Sequence, residues 1–314
     1  MSASVDAQAN GGDGGRESTP TTAWRRWVIG ALLFGAALSL VIRLAPDSYR
    51  IFGPYLLVDG GLVLDAVDAV LPFALAAAAF YGADGWPAGR SRLLWGASLL
   101  AVAALLGVVA ELVNLGVMTD AIRTFDQIDT WMPIRYVAES VATVAGFGLL
   151  AAGLWGGRHS FGREVRPTGG RLAVAIVGTL AVVAVAADLW AALPIGQTFP
   201  SEYVLLGVVG GLLMAMTSVA LAALAMVALR ITPARAGQPE LLIATGATMT
   251  MVGQAAQWAL PYALLSGTES VPVTGAIFTV LKVATALGLA AISIGFVLAG
   301  MAVRPRAAMP EAAG

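Results

Sequence analysis

Eight stretches of this chain are apolar for long enough to cross a bilayer, each close to the ~20 residues that a spanning helix needs. They lie at roughly 27–44, 57–81, 93–118, 134–155, 172–194, 203–229, 241–265 and 276–303. Breakers mark the joins: Ala45-Pro46-Asp47, Gly85-Trp86-Pro87, Pro167-Thr168-Gly169-Gly170, Phe199-Pro200-Ser201, Thr232-Pro233 and Val271-Pro272. Irregular backbone is tolerated at such joins because water can satisfy it, and not within lipid. The pattern therefore predicts an all-α fold, a polytopic transmembrane helical bundle of about eight spans, with residues 24–304 as one membrane domain. Residues 1–23, rich in Gly, Ser, Thr and Asp, read as a disordered tail. Residues 305–314 read as a second, short one. The first apolar run starts only near Trp27, after Arg25-Arg26, which points to a retained anchor rather than a cleaved signal.

Between the third and fourth segments, Ile122, Phe125, Ile128 and Met132 recur at helical spacing opposite Asp120, Arg123, Asp126 and Asp129. That spacing predicts a short interfacial helix, or a connector that happens to be amphipathic. A four-plus-four internal repeat is also suggested. Val141-Ala142-Thr143 followed by Gly146 recurs as Val283-Ala284-Thr285 followed by Gly288, and Tyr55 before Gly60-Gly61 recurs as Tyr203 before Gly210-Gly211. Transporters are often built from repeated halves, and repeats of four spans run parallel.

Composition agrees with the pattern: 58% of residues are hydrophobic and only 12% charged, about half the charge of a soluble domain. A net charge of −1 gives no basis for a nucleic-acid partner. Without cysteine there is no disulfide, iron–sulfur cluster or thiolate zinc site, and the one histidine, His159, falls in a connecting loop. Histidine-based zinc catalysis, bis-histidine haem and a Ser-His-Asp triad are thereby set aside. Thirteen arginines fall in the loops on the side of the N-terminus and four on the other side. The positive-inside rule then gives both termini to the cytoplasm and the chain to the cell membrane.

Depth within each segment follows from about 1.5 Å of rise per residue. By that measure Asp65, Asp68, Glu111, Asn114, Arg135, Glu139, Asp188, Gln254, Gln257 and Lys282, the chain's one lysine, all fall in the outer half of the bilayer. Asp65/Asp68, Glu111/Asn114 and Gln254/Gln257 are three residues apart and Arg135/Glu139 four, so each helix presents its polar groups on one face. Charges in lipid face a bundle interior or water and find partners there. Five carboxylates against Arg135 and Lys282 leave three negative charges in excess if all are ionised, which calls for bound protons or a bound cation.

Lys282 in the last segment, Arg135-Tyr136-Val137-Ala138-Glu139, and Trp258 before Pro261 resemble in part the microbial rhodopsins, in which a lysine binds retinal and an acid is its counter-ion. Lys282 lies about a turn above the depth such a lysine takes, with Ala286 nearer to it. The Arg135–Glu139 spacing is one residue too long, no tryptophan follows Glu139, and there is an eighth span. No retinal or other cofactor is therefore expected. The expected function is transporter-like, with a proton, small cation or cationic solute held by Asp65, Asp68, Glu111, Asn114, Arg135, Glu139, Asp188, Gln257 and Lys282. The alternative is a non-catalytic membrane scaffold or accessory subunit whose intramembrane ion pairs are structural. An enzyme ranks third, because no nucleophile–base pair or metal-ligand spacing emerges.

Overall fold

In the computed structural model the described residues are 20–44, 61–119, 125–158, 170–198, 201–231, 239–265 and 271–302. They form eight long helices and two 3-10 turns, with no strand among them. The helices are α1 (Pro20–Leu44), α2 (Gly61–Gly82), α3 (Arg90–Thr119), α4 (Phe125–Gly156), α5 (Arg171–Thr198), α6 (Ser201–Arg230), α7 (Pro239–Leu265) and α8 (Val271–Met301). One helix falls on each expected segment, and the chain is an all-α helical bundle.

Among the described residues seven helices are long and apolar enough to cross a membrane. The exception, α7, is diluted by Thr245, Thr248, Thr250, Gln254 and Gln257. Two of its threonines turn back on the helix itself: Thr248 and Thr250 donate to the carbonyls of Ala244 and Gly246, each at 2.9 Å. Hydroxyls bonded back to the preceding turn place no unsatisfied donor in lipid.

Several boundaries differ from the expected ones: α5 runs on past Pro194 to Thr198, and α8 begins at Val271, taking in the expected break at Val271-Pro272. Helix α1 begins at Pro20, four residues inside the expected tail, because proline at a first helical position sacrifices no helical hydrogen bond. Helix α4 begins at Phe125 and continues through Pro133, so the greater part of the expected interfacial helix is the opening of α4. Residues 1–19, 120–124 and 303–314 lie outside the described residues.

Helices α3 and α4, α5 and α6, and α7 and α8 form antiparallel hairpins. Lipid tails are as apolar as leucine, so helices associate in a membrane through close packing of small residues. In the α3–α4 hairpin a Cβ on Gly96 would lie 2.8 Å from the Gly146 carbonyl oxygen and 3.0 Å from the Leu150 nitrogen. In the α7–α8 hairpin a Cβ on Gly246 would strike the Gly288 carbonyl and lie 2.8 Å from the Ile292 nitrogen. Gly153 is pressed on Leu93 as Gly295 is on Ile243, and Gly146 meets Leu100 as Gly288 meets Thr250. A shift of 150 residues carries Leu93, Gly96 and Leu100 onto Ile243, Gly246 and Thr250. A shift of 142 carries Gly146, Leu150 and Gly153 onto Gly288, Ile292 and Gly295. The second shift is also the one that aligns the two Val-Ala-Thr motifs.

The same correspondence runs through the whole bundle. Helix α1 packs on α2 and α3, and α2 on α3; likewise α5 packs on α6 and α7, and α6 on α7. The halves meet where α4 packs on α6 and where α8 packs on α2, which are again equivalent contacts. The molecule thus consists of two parallel four-helix halves about a pseudo-two-fold axis along the bundle, the four-plus-four arrangement that the sequence suggests. The mates α1 and α5 are its least buried spans, with 28% and 17% of their apolar windows covered. Trp27, Phe34, Leu172 and Val182 on these two helices are exposed.

Candidate functional site

The hairpin topology sorts polar residues to the two ends of the bundle. Arg25, Asp84, Arg90, Arg92, Arg158, Arg171, Arg230 and Glu240 lie at the end where α1, α3, α5 and α7 begin. There Arg25 on α1 donates to Asp84 at 2.6 Å, and Arg90 stands 3.4 Å from the other carboxylate oxygen, tying α1 to the α2–α3 turn. A groove of about 560 Å³ opens beside them, lined by Trp24, Pro87, Arg90, Ser91, Leu94, Trp95 and Ser98. The residues singled out from sequence all lie toward the opposite end, on the first halves of α2, α4 and α8 and the second halves of α3, α5 and α7. The side chains of Asp65, Glu111 and Asn114 lie outside the described residues.

One group gathers on α4, α5 and α6. Ser218 donates to Asp188 Oδ2 at 2.7 Å, and Asp188 is 1% exposed. A buried carboxylate needs donors, and an adjacent helix supplies this one. The ring of Tyr136 on α4 packs over Gly210 of α6, where a Cβ would lie 3.4 Å from it. The Tyr136 hydroxyl stands beside Ser140 and within electrostatic reach of Glu139 and Asp188. It completes no hydrogen bond of full geometry among the described residues. Arg135 Nε lies 3.4 Å from Glu139 Oε2, an i,i+4 ion pair on a half-exposed face. The Glu139 carboxylate reaches across Gly107 of α3, where a Cβ would lie 3.9 Å away.

A second group gathers on α2, α7 and α8. Gln257 donates to the Thr285 hydroxyl at 3.0 Å, and Thr285 donates in turn to the Leu281 carbonyl at 3.1 Å. Lys282 and Asp68 are half-buried, and each is engaged in a polar or charged contact. The α4 and α6 members of the first group and the α8 and α2 members of the second are mates under the pseudo-symmetry. Thr143 bonds the Glu139 carbonyl as Thr285 bonds that of Leu281. The shifts of 142 and 150 set Lys282 opposite Ser140 and Asp68 opposite Ser218. The structure thus joins Arg135 with Glu139, sets the Tyr136 hydroxyl within electrostatic reach of Glu139 and Asp188, pairs Asp188 with Ser218, and joins Gln257 to α8.

Sequence reasoning did not single out Tyr136, Ser140, Ser218 and Thr285. Tyr136 sits inside the Arg135–Glu139 motif, which was its one available signal. Ser218 carried none, since a lone hydroxyl in an apolar run is ordinarily bonded to its own helix. Among the described residues no group of three or more His, Asp or Glu side chains is arranged to hold a metal ion. Comparison with family models, curated proteins and solved structures finds no match.

Proposed function

We propose that this is a transporter-like protein of the cell membrane, with both termini cytoplasmic, that binds a proton, small cation or cationic solute from the outer side. The feature supporting this reading is a bundle of two equivalent halves in contact at α4–α6 and α8–α2, with Arg135, Tyr136 and Glu139 on α4, Ser218 on α6, Lys282 on α8 and Asp68 on α2. Paired repeats that move against each other about a midplane site are a common construction of secondary transporters. Ionisable groups inside a membrane are expensive to keep and mark ion pathways by default. On this reading α7 crosses with the other helices, its polar face turned to α8.

The test is reconstitution into sealed vesicles with an entrapped pH-sensitive dye and an imposed cation or proton gradient. The wild-type chain is expected to dissipate the gradient faster than empty vesicles, and the triple variant Asp68→Asn, Glu139→Gln, Asp188→Asn is expected not to. Equal fluxes for both proteins would remove the reading. A scaffold or accessory subunit is favoured instead by the Asp188–Ser218 bond, which is satisfied and closed to solvent. That reading expects the triple variant to lose thermal stability with no flux at stake in either protein.

A further inference from the structure

The register of α2 against α8 carries an inference about Lys282. The two helices run parallel. The backbone of Phe296 on α8 closes on Gly82 of α2, and one turn on, a Cβ on Gly300 would lie 2.7 Å from the Tyr81 ring. Lys282 precedes Gly300 by eighteen residues, which is five whole turns at 3.6 residues per turn. It therefore lies on the face of α8 that meets α2. Fourteen residues separate Lys282 from Phe296 and fourteen separate Asp68 from Gly82, close to four turns on each helix. Both charges are thus lifted by the same rise from one contact, and within about 40° of the faces that make it.

Pro72 adds a second, independent feature. It sits inside α2, and with no N–H it cannot donate to the carbonyl four residues earlier, that of Asp68. In lipid every main-chain carbonyl needs a donor, and this one takes it from a local 3-10 or π adjustment of α2 or from a group on a neighbouring helix. Residue 68 therefore carries a carboxylate and a main-chain carbonyl that lacks its α-helical donor. An ammonium carries three donors and no acceptor, and matches such a set. In the equivalent half, Ser218, Ala222 and Ser140 stand where Asp68, Pro72 and Lys282 stand here. The acceptor set and its cation are thus found together at one of the two equivalent contacts and at neither position of the other.

We propose that the Asp68 carboxylate and main-chain carbonyl form an ammonium site at the α2–α8 contact, occupied by Lys282 and open to a primary amine in its place. The inference deepens the transporter reading and rests on it for the site's use in transport. A cationic solute that takes Asp68 displaces Lys282 and loosens one contact between the halves, while the α4–α6 contact is untouched.

The test is the thermal stability of the purified full-length protein in methylammonium chloride and, at equal ionic strength, tetramethylammonium chloride, whose cation has no N–H donor. Lys282→Ala is expected to melt lower than wild type and to be restored by methylammonium alone. It should respond at about tenfold lower concentration than any effect on wild type, since a tethered group competes at high effective concentration. Asp68→Asn/Lys282→Met, with both charges removed, is expected to melt near wild type and to ignore methylammonium. The site is overturned by rescue that survives Asp68→Asn, by rescue abolished by Asp65→Asn instead, or by equal rescue with tetramethylammonium. If Lys282→Ala cannot be purified, the double variant decides the matter, and its failure to fold rejects the pairing. Radiolabelled methylammonium uptake into vesicles separates the two claims: rescue without uptake upholds the site and removes the transport reading.

Discussion

The hydrogen bond from Ser218 to Asp188 is a fully buried polar contact between helices, and its cost of removal is asymmetric. Deleting the donor leaves a carboxyl that is 1% exposed without its partner, whereas an amide in place of the carboxylate can still accept. Ser218→Ala is therefore expected to lower unfolding stability by about 1–2 kcal/mol, in the upper range for hydrogen bonds between membrane helices. Asp188→Asn is expected to lose less; chemical unfolding of the two variants in mixed micelles measures both. The Arg135–Glu139 pair behaves otherwise. At 3.4 Å on a face where the side chains are 22% and 36% exposed, it is worth less than about 1 kcal/mol. Arg135→Gln is accordingly expected to leave the melting temperature nearly unchanged, and a large drop would mean that Arg135 has a second role.

Between neighbouring helices the decisive groups are the missing ones. Gly246 and Gly96 sit where α7 meets α8 and α3 meets α4, with backbone atoms of the facing helix where a Cβ would stand. Neither neighbour can rotate aside, because the obstacle is main chain. Gly246→Ala is expected to force the hairpin apart and cost about 1–3 kcal/mol, the usual range for overpacking. Gly148, which has nothing within 4 Å of its Cβ position, provides the contrast on the same kind of helix. Gly148→Ala is expected to be neutral or stabilising by about 0.5–1 kcal/mol, since alanine is the better helix former. If both variants melted alike, close approach would not be what holds the hairpins.

Across the whole molecule the two halves are joined mainly through α4–α6 and α8–α2, and each half keeps its own hairpin contacts. Residues 1–165 and 166–314, expressed as separate chains, are accordingly expected to copurify, and Gly210→Leu, which sets a large side chain against Tyr136 at the α4–α6 contact, to weaken the association. Because the chain has no cysteine, single cysteines added at either terminus test orientation directly: both should react with an impermeant maleimide only after the cytoplasmic side is exposed. The class of fold was legible in the sequence because lipid imposes it locally. A segment of apolar residues must satisfy its own backbone, and that requirement needs no knowledge of neighbours. The i,i+3 and i,i+4 spacings also revealed which residues share a helix face, as Arg135 and Glu139 do. Partners across helices were not legible. That Asp188 is served by Ser218, that Tyr136 packs on Gly210 and that Gln257 bonds Thr285 depend on the register of packed helices. That register is set by glycine contacts such as Gly96–Gly146 and Gly246–Gly288, whose spacing carries meaning only once the helices are docked. The sequence alone determined that this chain is a bundle of membrane helices with charge gathered toward one end. Only the tertiary structure decided how the two equivalent halves dock, through α4–α6 and α8–α2, because a pairing between helices is a property of two surfaces and neither surface encodes it alone.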